Sequence, residues 1–227
     1  FLERHNLISR LNQWPDKKLT LISASAGSGK TSLVSMWIHK LISNKADCNV
    51  AWYTIDKHDN DPVRFIRYLL FSLQEAGYCG FSDSLNSFSE LHNMHLTETM
   101  AYIVSLLIDN DDNTPLIIVL DDYQTIYSQI IHEGINFLLR YLPSHIHIVI
   151  LTRNNPPLNL SSLRVKDQLI EIRTEDLNFD YTESEVFLNK HLQNDLDQET
   201  IAMLHRKTEG WITGLQLTAL SLRNNKN

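Results

Sequence analysis

The chain has little of what marks disulfide-bonded, membrane-spanning or nucleic-acid-coating proteins. Its 227 residues include only two cysteines, Cys48 and Cys79. Their separation is not a metal-ligand spacing, so a reducing, cytoplasmic setting is the simplest expectation. No apolar run approaches the roughly 20 residues of a membrane span, and no signal peptide precedes the first predicted strand. The formal net charge of −7 argues against a broad nucleic-acid-binding surface.

The composition that remains is that of an ordinary soluble globular protein. Hydrophobic residues make up 43% of the chain and charged residues 21%. The length allows one large domain, or a domain with a smaller appendage. Because the chain opens on Phe1 rather than methionine and stops soon after a helical pattern, we expect it to be a piece of a longer protein.

The most informative stretch is Leu19–Leu33, which reads LTLISASAGSGKTSL. Its apolar start predicts a buried strand, its small residues a turn, and the segment from Lys30 the first turn of a helix. A strand, a Gly-rich turn and a helix start are the context that a phosphate-binding loop requires. Gly27 and Gly29 can adopt positive φ, which lets the backbone approach an anion.

The residue types of this loop predict a nucleotide site with Mg²⁺. Lys30 is expected to contact the β- and γ-phosphates, and the Thr31 hydroxyl to ligate the metal. Ala24 stands where the motif G-x-x-x-x-G-K-[ST] has a glycine, which is the smallest possible departure. A chance Gly-Lys-Thr after a strand is the alternative. The predicted loop residues are Ala26, Gly27, Ser28, Gly29, Lys30, Thr31 and Ser32.

A matching acidic partner follows downstream, after the apolar run Leu116–Leu120. A continuous run of this kind predicts a strand buried on both faces, as in parallel sheets, whose ligands bind at the carboxyl ends of the strands. Asp121 is predicted to hold Mg²⁺ with Thr31, because a buried carboxylate needs compensation. Asp122 is predicted to orient or activate a hydrolytic water. Alternatively, the two acids cap the next helix.

Several arginines are candidates for contacts with the nucleotide. Arg153 follows the predicted buried strand Ile146–Leu151, and it either senses the γ-phosphate or pairs with the acids of the preceding strand. Arg140 and Arg164 are further γ-phosphate candidates, in cis or from a neighbouring copy. Arg4, just ahead of a short helical segment, is either a surface residue or lies near the nucleotide base.

The remaining periodicity alternates between helix and strand up to about residue 175 and is wholly helical afterwards. The other predicted strands are Val50–Ile55 and Leu169–Ile172. The predicted helices lie within Phe1–Trp14, at Lys30–Ile42, from Asp61-Pro62 to Gly77, from Thr97 to Ile108, at Gln124–Tyr141, at Thr182–Leu192 with a capping box of Thr182 and Glu185, at Leu196–Lys207 and at Trp211–Leu222.

We therefore predict an α/β fold, a P-loop NTPase parallel sheet flanked by helices in residues 1–175, followed by a small all-helical subdomain in residues 176–227. Tyr78–His95 is predicted to be a loop or short irregular helices. The His92 and His95 pair within it lacks the further ligands that a metal site needs. His145 and His147, at the start of a buried strand, are predicted to be structural.

Taken together, the motifs resemble the nucleotide-binding module of STAND-type signalling ATPases, specifically the MalT-like branch of LuxR-type transcriptional regulators. The ordered set covers nearly the whole chain. The matching fragments are Arg4-x-x-Leu7, Ala26-Gly27-Ser28-Gly29-Lys30-Thr31-Ser32-Leu33 with Trp37, Trp52-Tyr53-x-x-Asp56, Leu120-Asp121-Asp122-Tyr123, Thr152-Arg153-Asn154-Asn155-Pro156-Pro157-Leu158 with Leu163-Arg164, Asp176-Leu177-x-Phe179, and Thr208-Glu209-Gly210-Trp211 with Gly214-Leu215-Gln216-Leu217.

The resemblance also accounts for Ala24, since that family often lacks the first glycine. Two departures are visible. Thr152 stands where serine is common, and Gln124 where a histidine often follows Asp-Asp-Tyr. The second departure puts any role for that position in doubt.

The resemblance implies a cytoplasmic molecular switch rather than a fast enzyme. ATP and an unidentified inducer would favour an assembled, active state, whereas ADP would hold a closed one and slow hydrolysis would reset the switch. Family members read DNA through a C-terminal domain that this chain does not contain. The helical region around Gly210 and Trp211 would be a lid that packs on the nucleotide.

Two other readings of the sequence stay open. One is a stand-alone catalytic P-loop ATPase or kinase, which would turn over at about 1 s⁻¹ or faster. No acceptor-substrate signature supports it. The other is a degenerate fold retained as an interaction scaffold, against which the intact Lys30, Thr31 and Asp121 argue.

Overall fold

The computed structural model describes residues 2, 4–77, 96–108, 114–192 and 196–224. Its strands are β1 (Leu19–Ser23), β2 (Asn49–Thr54), β3 (Leu116–Asp121), β4 (Ile146–Thr152) and β5 (Leu169–Arg173). They form one parallel sheet in the order β2-β3-β4-β1-β5. The predicted parallel sheet is confirmed, and each predicted strand lies within about one residue of an observed one.

Helices flank the sheet and then follow it. They are α1 (His5–Leu11), α2 (Lys30–Ser43), α3 (Pro62–Glu75), α4 (Leu96–Ile108), α5 (Gln129–Tyr141), α6 (Ser161–Val165), α7 (Thr174–Leu177), α8 (Tyr181–Leu192), α9 (Gln198–Thr208) and α10 (Ile212–Asn224). Short 3₁₀ turns occur at Trp14–Asp16, Lys57–Asn60 and Tyr123–Thr125. The segment predicted as a loop at Tyr78–His95, with Cys79, His92 and His95, lies outside the described residues.

One helix boundary was predicted wrongly. The helix expected to begin at Gln124 begins at Gln129, because Gln124 lies in the 3₁₀ turn that follows β3. Asp122 enters that turn in the left-handed region, at φ 58°. Such a residue cannot continue into an α-helix without a break, so the chain turns once before α5 starts.

A second correction concerns the start of α8. The predicted capping box of Thr182 and Glu185 is wrong, since the same three-residue spacing is used two residues earlier. The Glu183 backbone N–H donates to Asp180 Oδ1 at 2.7 Å, and the Asp180 N–H donates to Glu183 Oε2 at 3.1 Å. Both pairs satisfy the sequence pattern of a capping box, so the pattern alone did not distinguish them.

The strands alternate their side chains between two hydrophobic layers. Leu116, Ile118 and Leu120 of β3 face a core that α3, α4 and α5 cover, whereas Ile117 and Val119 face a second core beneath α1 and α2. This alternation follows from the period of two in an extended strand. A third cluster is formed by the helical part alone. Its buried members are Phe179, Leu188, Leu192, Ile201, Leu204, Leu215 and Ala219.

His147 lies inside the sheet layer, 1% exposed. Its Nε2 lies 2.8 Å from Thr20 Oγ1 and its Nδ1 2.8 Å from the Lys17 carbonyl oxygen. Burial lowers the pKa of His147 to about 4, although the Lys17 carbonyl opposes the shift. The ring is therefore a neutral packing group.

Candidate nucleotide-binding site

The Gly-rich loop joins β1 to α2 at the carboxyl edge of the sheet. Gly27 and Gly29 have φ values of 71° and 85°, in the left-handed region that favours glycine. Ser28 is 1% exposed, and its hydroxyl donates to the Ser25 carbonyl at 2.8 Å. The first amides of α2 therefore point out of a loop that is already folded, the arrangement that binds phosphate in many proteins.

Lys30 is buried at the base of this loop, 8% exposed. Its Nζ donates to the carbonyl oxygens of Ala24 at 2.8 Å and Ser25 at 2.9 Å. Among the described residues no carboxylate lies within ion-pair distance of this ammonium group. Burial lowers the pKa of Lys30, and nearby Arg153 lowers it further, while Asp122 and Asp121 oppose both. In the described part of the chain, the direct hydrogen-bond partners of the ammonium group are thus carbonyl oxygens only.

A carboxylate and a hydroxyl meet beside the loop. The Thr31 hydroxyl donates to Asp121 Oδ2 at 3.1 Å and approaches Oδ1 at 3.3 Å. Asp121 is 4% exposed, and its Oδ1 also accepts from the Asp122 backbone N–H at 2.9 Å. Burial raises the pKa of Asp121, which means that the folded protein disfavours its negative charge.

These two residues fit a magnesium ion on the chemistry of their oxygens. Mg²⁺ is held in proteins by one or two carboxylates, with water and substrate phosphates completing the shell. A buried carboxylate without a cation is the group that such an ion would compensate. Within the described ranges, no cluster of three or more histidine, cysteine or acidic side chains forms a self-contained metal site.

Asp122 and Arg153 lie at the ends of neighbouring strands and are joined by Gln124. Gln124 Nε2 donates to Asp122 Oδ1 at 2.7 Å, and Gln124 Oε1 accepts from the Arg153 backbone N–H at 3.1 Å. In the described part of the chain, the Arg153 guanidinium forms no ion pair with the acids after β3. That predicted alternative for Arg153 is therefore not observed.

The other two arginines are placed away from the loop. The Arg140 backbone carbonyl accepts from Lys18 Nζ at 3.3 Å, which sets Arg140 beside the amino end of β1, opposite the loop. Arg164 forms a double hydrogen bond with Glu171 at 2.8 Å for each oxygen. Within one chain, Arg153 is the arginine of the three that lies close to Lys30.

Arg4 joins the N-terminal segment to the helical part. Its guanidinium donates to the carbonyl oxygens of Leu177 at 2.7 Å and Asp176 at 2.8 Å, and its Nε pairs with Glu183 at 2.7 Å. It also packs over the Phe179 ring. Arg4 is not the free surface residue that the sequence left open, because it is anchored on four sides.

A cavity of about 550 Å³ opens beside the loop. Its volume lies within the usual range for small-molecule sites. Arg4 and Leu7 line it, together with Ser28, Gly29 and Ser32 of the loop and the start of α2. Its mainly apolar wall comes from Leu33 and Met36 of α2, Leu177, Phe179 and α8 and α10 of the helical part.

The helical part also touches the loop directly, by two contacts that the sequence did not fully predict. Trp211 Nε1 donates to the Ala26 carbonyl at 3.2 Å, and Thr213 Oγ1 donates to the Gly27 carbonyl at 2.7 Å. Trp211 was singled out as part of a lid, but Thr213 carried no motif signal. Gln124, whose role the sequence left in doubt, is the other residue missed.

No helix in the described part of the chain is long and apolar enough to cross a membrane. Residues 1–153 match the protein family described as Nephrocystin 3, N-terminal. The chain belongs to this family. The match covers the phosphate loop, Asp121 and Arg153, and it stops at the end of β4.

The similarity of this chain to other proteins continues beyond residue 153 into the helical part. It is 37% identical over 223 residues to the HTH-type transcriptional regulator MalT of Serratia proteamaculans (strain 568) and 36% to that of Yersinia pestis (strain Pestoides F). Each alignment covers 97% of this chain and 24% of the relative, so the chain spans about a quarter of their length. The predicted resemblance to MalT-like regulators is confirmed.

Solved structures support the same fold. A signal transduction ATPase with numerous domains (STAND) and a tetratricopeptide repeat sensor, from Pyrococcus horikoshii, superposes with a TM-score of 0.63 at 18% identity, over 96% of this chain and 29% of that one. The Aeropyrum pernix ORC1 protein, solved in complex with DNA, gives 0.58 at 14% identity, over 100% of this chain and 62% of that one. The P-loop ATPase fold with a helical C-terminal part is thereby confirmed. Together with the MalT relatives, it supports an ATPase-type regulatory module.

Proposed function

We propose that this chain is an ATP/ADP-binding switch module with slow ATP hydrolysis, part of a signal-dependent transcriptional regulator. The observation that carries the proposal is a pair of buried and unmatched charges. Among the described residues, Lys30 is hydrogen-bonded only to carbonyl oxygens, and Asp121 only to a hydroxyl and a backbone N–H. A structural lysine and aspartate would neutralise each other. Lys30 is therefore available to bind an anion and Asp121 to bind a cation, and Mg-nucleotide supplies both.

The phosphates would lie on the loop from Ala26 to Ser32. Its backbone N–H groups and the start of α2 favour negative charge, and Lys30 adds a full positive charge. Thr31 and Asp121 would hold Mg²⁺. A bound Mg²⁺ ion would bridge phosphate oxygens and neutralise their charge.

Two side chains at the ends of β3 and β4 would act on the terminal phosphate. Asp122 would orient or activate the attacking water through Oδ2, the oxygen that Gln124 does not occupy. Arg153, whose guanidinium has no partner in the described ranges, would contact the γ-phosphate and so distinguish ATP from ADP. With Lys30 they form the proposed catalytic set.

The nucleoside would occupy the cavity beside the loop, with Arg4 at its wall. The cavity lies where the sheet domain, residues 1–175, meets the helical subdomain, residues 176–227. Trp211 and Thr213 bind the loop from the helical side, which supports the lid assignment. A nucleotide that changes the conformation of the loop would therefore change the contacts that Trp211 and Thr213 make with it.

The role in transcription rests on the relatives, since their name is HTH-type transcriptional regulator MalT. In the longer protein, an unidentified inducer would bind outside this module, and the ATP-bound state would self-associate. DNA would be bound by a C-terminal domain beyond this chain, in the cytoplasm. The acidic balance of −7 is consistent with a module that does not itself bind DNA.

Thermal unfolding with Mg-ATP, Mg-ADP or Mg-GTP tests the site. A ligand at a thousandfold over its dissociation constant adds about 4 kcal/mol, or roughly 8–16 °C for a chain of this size in a two-state melt. We expect an adenine-specific shift that Lys30→Ala abolishes and that the exposed control Lys166→Ala retains. A larger shift with ADP supports a resting switch.

The outcomes separate the competing readings. Turnover at about 1 s⁻¹ or faster would favour the stand-alone ATPase or kinase. No shift with any nucleotide, together with none released by denaturing extraction, would leave the scaffold reading. A shift equal in Lys30→Ala and the parent would place the nucleotide elsewhere.

A further inference from the structure

Gln124 is fixed in a turn that has little freedom to move. Tyr123, beside it, is 1% exposed, and its hydroxyl lies 2.9 Å from His132 Nδ1 of α5. The Thr125 hydroxyl donates to the Asp122 carbonyl at 2.9 Å, and Asn60 Nδ2 donates to the Thr125 carbonyl at 2.9 Å. The turn is therefore tied to the 3₁₀ turn Lys57–Asn60 and to α5, through the residues on both sides of Gln124.

The orientation of the Gln124 amide follows from its partners. The Arg153 backbone N–H is a donor only, so the amide oxygen must face it. The amide nitrogen then faces the Asp122 carboxylate, where it donates at 2.7 Å. In a flipped amide, the nitrogen would face the Arg153 N–H, which is also a donor, and the oxygen would face a carboxylate oxygen, which is also an acceptor. A single orientation therefore satisfies both partners.

The consequence is that one side chain restrains both groups assigned to the terminal phosphate. It occupies Asp122 Oδ1 and leaves Oδ2 for water, and it fixes the backbone from which the Arg153 side chain extends. The strands concerned are neighbours in the sheet, with Leu120 of β3 opposite Ile150 of β4. A displacement of Asp122 at the end of β3 would therefore reach Arg153 at the end of β4 through the Gln124 amide.

We propose that Gln124 is a positioning residue that couples the Asp122 carboxylate to Arg153, and so sets both hydrolysis and the preference for ATP over ADP. This inference rests on the proposed function, because it assumes a γ-phosphate between the two groups. It assigns Gln124 no contact with the nucleotide.

The test uses Gln124→Met, which keeps the length of the side chain and removes both hydrogen bonds. Single-turnover and steady-state hydrolysis give the rate and KM, and calorimetric titration with ADP and a non-hydrolysable ATP analogue gives two dissociation constants. We expect kcat to fall about tenfold with KM nearly unchanged, because the carboxylate is no longer oriented. We expect the ratio of the ADP to the analogue dissociation constant to fall about fivefold, because Arg153 is no longer held.

A second variant separates positioning from mere packing. Gln124→His supplies one donor and one acceptor when the imidazole is neutral, so at pH 8 it should restore rate and ratio to within about twofold. Gln129→Met, on the exposed start of α5, should match the parent. Should Gln124→Met fold poorly, Gln124→Asn, which is too short to span both partners, takes its place.

The possible failures are distinguishable. If Gln124→Met binds both nucleotides with the parental ratio and hydrolyses at the parental rate, the coupling is wrong while the proposed function stands. If rate and ratio change but Gln124→His does not restore them, the bridge is a packing feature and the coupling is again wrong. If the parent binds no nucleotide, the proposed function fails and this inference fails with it.

Discussion

Charged side chains are paired differently at the phosphate loop and at the seam, the contact between the N-terminal segment and the helical part that contains Arg4, Arg10, Asp176 and Glu183. At the loop, Lys30 and Asp121 lie close together but are each held by uncharged groups. At the seam, Arg4 pairs with Glu183 at 2.7 Å and Arg10 with Asp176 at 2.6 Å. The charged side chains of the seam pair with each other, whereas under the proposed function those of the loop would find their partners in a ligand.

This difference separates stability from function within one chain. A matched ion pair whose partner is removed leaves a costly buried charge. An unmatched charge already bears that cost in the folded state, so its removal should cost little stability and should abolish binding instead. We therefore expect substitutions in the two regions to have opposite signatures.

The largest effect concerns acid stability. The sheet side holds His147 neutral, with a folded pKa of about 4. Because this pKa lies below the usual 6.5, the unfolded chain binds the proton first, and stability is lost as pH falls from 6.5 to 4. The loss at that one group is about 3 kcal/mol.

At the edge strand β5, by contrast, Arg164 and Arg173 lower the Glu171 pKa to about 2, so the contribution of Glu171 is lost only as pH falls below the usual 4.5. Urea unfolding between pH 8 and pH 4.5 measures the His147 effect. His147→Gln, which cannot gain a charge, should flatten the slope. A slope unchanged by that variant would show that other groups govern acid stability.

The next effect is at the seam itself. Arg4→Met should lower the free energy of unfolding by about 2 kcal/mol, less than a fully buried pair because Glu183 is partly exposed. Lys30→Met, measured without nucleotide, should lose under about 1 kcal/mol, the cost of two carbonyls left without a donor. Chemical denaturation of Arg4→Met, Lys30→Met, Glu183→Leu and the Arg4→Met/Glu183→Leu double variant gives the two losses and the coupling between Arg4 and Glu183. Equal losses of stability in Arg4→Met and Lys30→Met would show that the loop and the seam do not differ in this respect.

The two regions also differ in how far the sequence predicted them. The loop is local, since strand, glycines, Lys30 and Thr31 follow one another within Leu19–Leu33, and periodicity with glycine placement suffices. Asp121 lies 90 residues from Thr31. Its place was still predictable, because carboxyl ends of parallel strands share one edge of the sheet.

The seam and the Gln124 bridge were not predictable in this way. Arg4 meets its carbonyl partners across 172 residues or more, and no period or motif encodes such a contact. Gln124 reaches Arg153 across 29 residues, through a turn that the helical periodicity of the following segment concealed. At α8, two overlapping capping patterns were equally good, and the structure forms the one with Asp180 and Glu183.

A smaller effect tests the contact between the helical part and the phosphate loop, where Thr213 donates to the Gly27 carbonyl. A methyl group on Gly27 would lie 2.3 Å from Thr213 Oγ1, besides the strain of φ at +71°. A methyl on Gly77 meets nothing within 4 Å and has only the strain of φ at +92°. We expect Gly77→Ala to cost about 1 kcal/mol and Gly27→Ala up to about 1 kcal/mol more.

Thr213→Ala should recover part of the Gly27→Ala cost, in a double-mutant cycle read by thermal unfolding. Equal costs for Gly27→Ala and Gly77→Ala would mean that the lid moves away from the loop freely. The contact would then not restrain the helical part.

The smallest change in stability should come from Asp121→Asn, and its sign is the sharpest test of the comparison. With its carbonyl oxygen at the Oδ1 position, the asparagine still accepts from the Asp122 N–H and, at 3.3 Å, from the Thr31 hydroxyl, while the disfavoured charge is gone. Without nucleotide, the free energy of unfolding should stay level or rise by about 0.5 kcal/mol. With nucleotide, the part of the thermal shift that depends on added Mg²⁺ should disappear, since a neutral amide is a poor ligand for a hard cation.

A loss above about 1 kcal/mol in the nucleotide-free variant would show that the carboxylate stabilises the fold by itself. The loop would then resemble the seam, and its unmatched charges would no longer argue for a ligand.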